Sequence, residues 1–243
     1  MARIIPLRSL PTFSIINPPD NQFNFAKGAA FLIDKPKGWS SFDVVKRIRK
    51  CVDLRKVGHA GTLDPMATGL MIVCCGKGTR TINEIQDASK AYEGTVTLGA
   101  STESYDAETE IIETAAFSHI TKQKVLAALK EHFSGQIAQV PPMYSAIKKD
   151  GQRLYKLARK GKEVEREPRE VTIHAARIIY FDPPKVKLYI KCSKGTYIRS
   201  IANDLGKHLN SLGYLSTLRR TAIGDFSVKD ALTIDDLDLI FKL

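Results

Sequence analysis

Strict alternation of apolar and polar residues in two distant stretches constrains this fold most. Tyr92, Gly94, Val96 and Leu98 alternate with Glu93, Thr95 and Thr97; Val186, Leu188, Ile190 and Cys192 alternate with Lys185, Lys187, Tyr189 and Lys191. Successive strand residues point to opposite faces, so each stretch predicts a strand with one apolar and one wet face, as in antiparallel sheets. Leu70–Cys75 is a continuous apolar run of strand length, and Phe31–Ile33 predicts a short strand stopped at Pro36-Lys37-Gly38. Between these lie helix patterns. Ser40 and Asp43 form a capping pattern before Val44, Val45 and Ile48, and Val125, Leu129 and Phe133 make a stripe closed by Gly135. Ile198, Ile201, Ala202 and Leu205 mark a third helix, for which Thr196 is the expected N-cap. Strands and helices mix without a regular βαβ beat, which predicts an α+β fold with a mixed, mostly antiparallel sheet flanked by helices.

Residues 1–28 show little periodicity and many turn formers, predicting an N-terminal arm, with the folded domain spanning 29–243. The 37 Lys and Arg against 26 Asp and Glu give a net charge of +11. A polyanion is the natural partner of such a surface. The cations crowd one segment, Lys148, Lys149, Arg153, Lys156, Arg159, Lys160, Lys162, Arg166 and Arg169. We read 148–170 as a basic insertion folding over a ligand, with a helix expected at Leu154–Lys160 ended by Gly161. No run has the length of a membrane span or signal peptide, so a cytoplasmic protein is expected. The 4 cysteines form no C-x-x-C pair and the 5 histidines show no metal-ligand spacing, so reduced thiols and no metal site are expected. Gly76-Lys77-Gly78-Thr79 is not a phosphate-binding loop, because residue 78 is Gly and residue 71 is Met.

Two features carry chemistry. In Gly58–Gly69 (Gly-His-Ala-Gly-Thr-Leu-Asp-Pro-Met-Ala-Thr-Gly), small residues surround Asp64, and Pro65 steers it away from the helical region. Such a loop lets a ligand approach one carboxylate of restricted direction. Arg199 then puts a cation in the first turn of its predicted helix, against the dipole by ~0.3–1 kcal/mol. A local rule broken without local gain points to function and to an anionic partner.

The Gly58–Gly69 stretch resembles the catalytic motif of the TruB-type pseudouridine synthases, which modify uridine 55 in the TψC arm of tRNA. Matching blocks follow the same order: Asp34-Lys35-Pro36-Lys37-Gly38-Trp39-Ser40-Ser41, Lys90-Ala91-Tyr92, Pro141-Pro142-Met143-Tyr144-Ser145-Ala146, Cys192–Arg199 and Leu218-Arg219-Arg220-Thr221. The resemblance implies a pseudouridine-synthase fold with an RNA-binding cleft covered by the 148–170 insertion. It implies Asp64 as the catalytic acid residue, Arg199 as its ionic partner and Tyr92 as the ring stacking on the uracil. It places His59 at the RNA surface, where the flipped nucleotide leaves space. Lys35, Pro36 and Tyr197 would belong to the pocket, and Leu218 would pack near the uracil. From the charge pattern, Lys148, Lys149 and Arg159 are expected on RNA phosphates.

The reaction implied is isomerisation of uridine to pseudouridine, with no cofactor or metal, with tRNA as partner and without an obligate protein partner. Two readings compete with it: a guide-RNA-dependent synthase acting on ribosomal RNA, and a non-catalytic RNA chaperone. Retention of both Asp64 and Arg199 favours catalysis over the chaperone. Many bacterial relatives carry a further C-terminal RNA-binding (PUA) domain, and the end at Leu243 implies a form lacking a full one. Leu212-Gly213-Tyr214 also departs from the Gly-Ala-His common there.

Overall fold

The computed structural model describes residues 9–20, 22–149 and 151–242. Residues 1–8 and Asn21 of the expected arm, Asp150 of the insertion and Leu243 lie outside the described residues. The chain divides into two compact units. One holds the described residues of 1–92 and 218–243, the other those of 93–217.

In the first unit the central strand is Thr68–Cys75. Ala29–Lys35 pairs antiparallel with it from Ala29 opposite Cys75 to Lys35 opposite Gly69. Along its other edge, Val57–His59 runs antiparallel beside Val73–Cys75, and Arg219 and Arg220 run parallel beside Thr68 and Gly69. With both edges paired and both faces covered, the strand buries the neighbours Cys74 and Cys75 alike. That double burial is why its sequence reads as an uninterrupted apolar run. Thr12–Phe13 adds a short parallel strand to Ala29–Lys35, and Phe13 meets the rings of Phe23, Phe25 and Phe31 at centroid separations of 5.1, 5.8 and 5.4 Å.

The helix Ser41–Val52 starts as expected. The Ser40 N–H donates to Asp43 Oδ2 at 3.0 Å and the Asp43 N–H donates to Ser40 Oγ at 3.2 Å, a closed capping box. Its Val44, Val45 and Ile48 stripe is buried. A second capping box, Thr233 with Asp236, starts the helix Ile234–Phe241.

The second unit is built on the other part of the alternating pattern. Lys185–Cys192 lies between Lys90–Leu98 and Arg169–Asp182, and Gly135–Gln139 forms the outer strand. Arg169–Asp182 is antiparallel to both of its neighbours. Val186, Leu188, Ile190 and Cys192 are buried while Lys185 and Lys191 are exposed, and Gly94, Val96 and Leu98 are buried on the face Tyr92 shares. Helices Lys122–His132 and Ile198–His208 complete the unit.

Three expectations are corrected. The helix Ile198–His208 is preceded by Tyr197, not capped by Thr196, whose hydroxyl donates instead to the Ser193 carbonyl at 3.0 Å. Phe133 ends the Lys122–His132 helix, and Gly135, at φ +70°, opens the following strand. The insertion helix covers only Leu154–Ala158; its last residues unwind into the turn that carries Gly161, which donates to the Ala158 carbonyl at 2.8 Å.

Candidate active site

In the first unit, the Asp64 loop leaves Val57–His59 and returns as Thr68–Cys75, and its backbone is braced at almost every step. The Ala60 N–H donates to Ile72 O at 2.9 Å. Arg220 reaches Gly61 O at 3.2 Å and Thr62 O at 3.4 Å. Ser41 Oγ donates to Leu63 O at 3.0 Å and accepts from Leu63 N at 2.8 Å. The Gly38 N–H donates to Pro65 O at 2.8 Å, and the Ala67 N–H to Asp64 O at 3.0 Å. Satisfied backbone groups hold an irregular segment in one conformation, so the acid between Leu63 and Pro65 has little freedom.

Lys35 belongs to this bracing. Its side chain is fully buried, and Nζ donates to Pro36 O at 3.0 Å, Trp39 O at 2.7 Å and Pro65 O at 3.4 Å. The ammonium therefore ties the Pro36–Trp39 turn to the residue after Asp64. Gly69 closes the loop at φ +105°, and a Cβ there would stand 2.2 Å from Arg220 O. Only glycine fits that approach. The neighbouring Arg219 forms a two-pronged ion pair with Asp34, at 3.0 and 2.6 Å.

His59, at the entrance to the loop, is half-buried. Burial pushes its imidazole below the ordinary value, and the Arg220 charge pushes it further the same way. Leu218 is buried, and Tyr92 is half-buried at the end of its unit's first segment.

In the second unit, Arg199 is the second residue of its helix and 5% exposed. Its guanidinium donates to Ser104 O at 3.2 Å and Tyr144 O at 2.8 Å, and Nε lies 3.5 Å from Asp106 Oδ2. Asp106 is fully buried, and its Oδ1 accepts from Ser104 Oγ at 2.5 Å and from the Glu108 N–H at 2.9 Å. A carboxylate held this way offsets the helix dipole that the sequence sets against Arg199. Gln139 grips both backbone polar groups of Tyr197, accepting from its N–H at 2.8 Å and donating to its carbonyl at 3.1 Å.

The basic insertion forms a hairpin of Lys148–Lys149 with Gln152–Arg153, followed by the short helix. Lys148, Arg153, Lys156, Arg159 and Lys160 line a concavity of about 940 Å³ with Tyr155. Lys149 is exposed, with Nζ donating to Glu165 O at 2.8 Å.

Sequence reasoning missed Asp106, Gln139 and Arg220. Asp106 and Gln139 stand in no local pattern with Arg199 and Tyr197. Arg220 lies inside one of the matching blocks, but its partners are carbonyls, which leave no trace in side-chain spacing.

An α+β fold with a large, mostly antiparallel sheet flanked by helices is the fold of pseudouridine synthases. Comparison with known proteins makes the assignment specific. Residues 49–198 match the model of the TruB family pseudouridylate synthase N-terminal domain. A protein of Flavobacterium johnsoniae called tRNA pseudouridine synthase B is 48% identical over 217 residues, covering 86% of this chain and 94% of its own. Its namesake from Phocaeicola vulgatus is 45% identical over 218 residues, covering 87% and 92%. Among solved structures, a Cbf5-Nop10-Gar1 complex superposes with a TM-score of 0.70 at 26% identity, over 98% of this chain and 61% of that one. The chain belongs to the TruB family of pseudouridylate synthases.

Proposed function

We propose that this chain isomerises uridine 55 in the TψC arm of tRNA to pseudouridine, acting on tRNA in the cytoplasm. The observation that carries the reading is the braced Gly58–Gly69 loop, in which the backbone on both sides of Asp64 is pinned by hydrogen bonds from Arg220, Ser41, Lys35 and Gly38. The reaction breaks the bond from uracil N1 to the sugar and forms one from C5. The proton lost from C5 is balanced by one gained at N1. Such a site must hold a flipped nucleotide still while its base is detached, and a rigid acid suits that need.

In this reading Asp64 initiates cleavage and Tyr92 stacks on the uracil. Arg199 is the supporting cation, itself steadied by Asp106. His59 occupies the RNA surface as a neutral ring, able to stack without adding charge. Pro36, Tyr197 and Leu218 shape the pocket, and Lys35 acts through the loop it ties. Lys148, Lys149 and Arg159 bind phosphates. The relatives named tRNA pseudouridine synthase B, at 45–48% identity over most of both chains, support tRNA as the substrate.

The test is to incubate unmodified tRNA transcript with the protein and map pseudouridine by base-resolved chemical labelling. A single new pseudouridine at position 55 is expected. Pseudouridine at other positions only, or none, would overturn the assignment.

A further inference from the structure

We propose that Arg220 is a positioning residue of the reaction, whose guanidinium clamps the two limbs of the Asp64 loop at fixed separation. The inference rests on the function proposed above. Arg220 is 1% exposed and is the largest fully buried side chain among the described residues. Its Nε donates to Leu70 O at 2.7 Å, on the strand after the loop. Its two terminal nitrogens donate to Gly61 O and Thr62 O, on the segment before Asp64. One rigid planar fork thus spans both sides of the acid. Among the described residues no carboxylate pairs with it.

That arrangement is costly for an ordinary core position. A cation taken from water without a counter-charge is unfavourable, and apolar side chains of similar volume commonly replace buried charges without loss. A lysine ammonium serves carbonyls gathered round one point, as Lys35 does, whereas the Arg220 fork reaches Leu70 O, Thr62 O and Gly61 O from three separate nitrogens, a span a single ammonium lacks. The backbone at Arg220 is registered against Gly69, where no Cβ is tolerated. The fork is therefore delivered to the loop from a strand that has no room to shift. The same charge contributes to keeping His59 neutral.

The test uses the full chain with Arg220→Lys and Arg220→Met, each compared with wild type on unmodified tRNA. Three quantities are read: turnover at saturating tRNA, tRNA affinity, and amide hydrogen exchange along the chain. The expected result is a loss of about a hundredfold in kcat, the scale of a misplacement of about 1 Å, with tRNA affinity nearly unchanged. Exchange should quicken at Ala60 and Ala67 while core amides such as Ile33 and Ile72 keep their protection. A purely structural role predicts exchange raised throughout and normal turnover per folded molecule. That result, or wild-type kcat with unaltered loop exchange in either variant, would overturn the proposal. Arg220→Lys keeps the charge and most of the stem, so it serves if Arg220→Met does not fold. If wild type itself makes no pseudouridine, the proposed function fails, and the exchange measurement still decides whether Arg220 orders the loop.

Discussion

Replacing Asp106 with Asn tests the value of one buried charge. The substitution keeps an oxygen for the Ser104 hydroxyl and the Glu108 N–H, now 2.5 and 2.9 Å from Oδ1, and puts a neutral amide donor where the negative Oδ2 faces Arg199 Nε at 3.5 Å. Asp106 is fully buried and Arg199 is 5% exposed, so water cannot compensate. Breaking a buried pair by removing one partner costs about 3–5 kcal/mol. The carbonyls of Ser104 and Tyr144 still receive the guanidinium, which sets the expectation at the lower end, about 3 kcal/mol. For a chain of this size that lowers Tm by roughly 6–12 °C. Thermal unfolding followed by circular dichroism reads it directly, and a cycle combining Asp106→Asn with Arg199→Met should show that the two losses do not add, as expected for residues in contact. A Tm for Asp106→Asn within about 2 °C of wild type, no more than the shift expected for 1 kcal/mol, would refute the argument that this pair is held without water.

Gly69→Ala should destabilise by about 3 kcal/mol or more, because the new Cβ meets Arg220 O at 2.2 Å and N at 2.7 Å; urea unfolding that shows no loss would contradict the tight approach. His59 bears on pH dependence. Its folded-state value is lowered, so as pH falls from 7 towards 5 the unfolded chain binds the proton first and stability drops; His59→Asn should flatten this part of the stability profile, and an unchanged slope would place the effect elsewhere. Neutralising Lys148, Lys149, Arg159 and Lys160 together should weaken tRNA binding and flatten the slope of log affinity against log salt by roughly 0.7–0.9 for each phosphate that these cations neutralise; an identical slope in a salt titration would mean that they touch no phosphate.

The sequence discloses those features whose cause is local. The Ser40 and Asp43 capping box depends on residues three apart, and the buried faces of Lys90–Leu98 and Lys185–Cys192 follow from period-two alternation, so both are legible. The start of the Ile198–His208 helix is not, because its Tyr197 backbone is satisfied by Gln139, far away in the chain, a partner able to replace the Thr196 cap that local rules expect. Arg199 is recognisable as an anomaly against the helix dipole. Asp106, which offsets it within the same unit, is hidden, since the two meet only through tertiary folding. Lys35 is expected in the pocket from its motif, and the carbonyls of Pro36, Trp39 and Pro65 that its ammonium reaches leave no trace in the sequence. Backbone acceptors are identical at every position, and so bracing of this kind is invisible until the fold is known.

If the braced loop serves to present the Asp64 carboxylate, removing that charge should end turnover and spare binding. Single-turnover conversion of unmodified tRNA by wild type and Asp64→Asn, with tRNA affinity measured in parallel, tests it most directly. Asp64→Asn should bind tRNA about as well as wild type and form no measurable pseudouridine. Turnover by Asp64→Asn near the wild-type rate would contradict it.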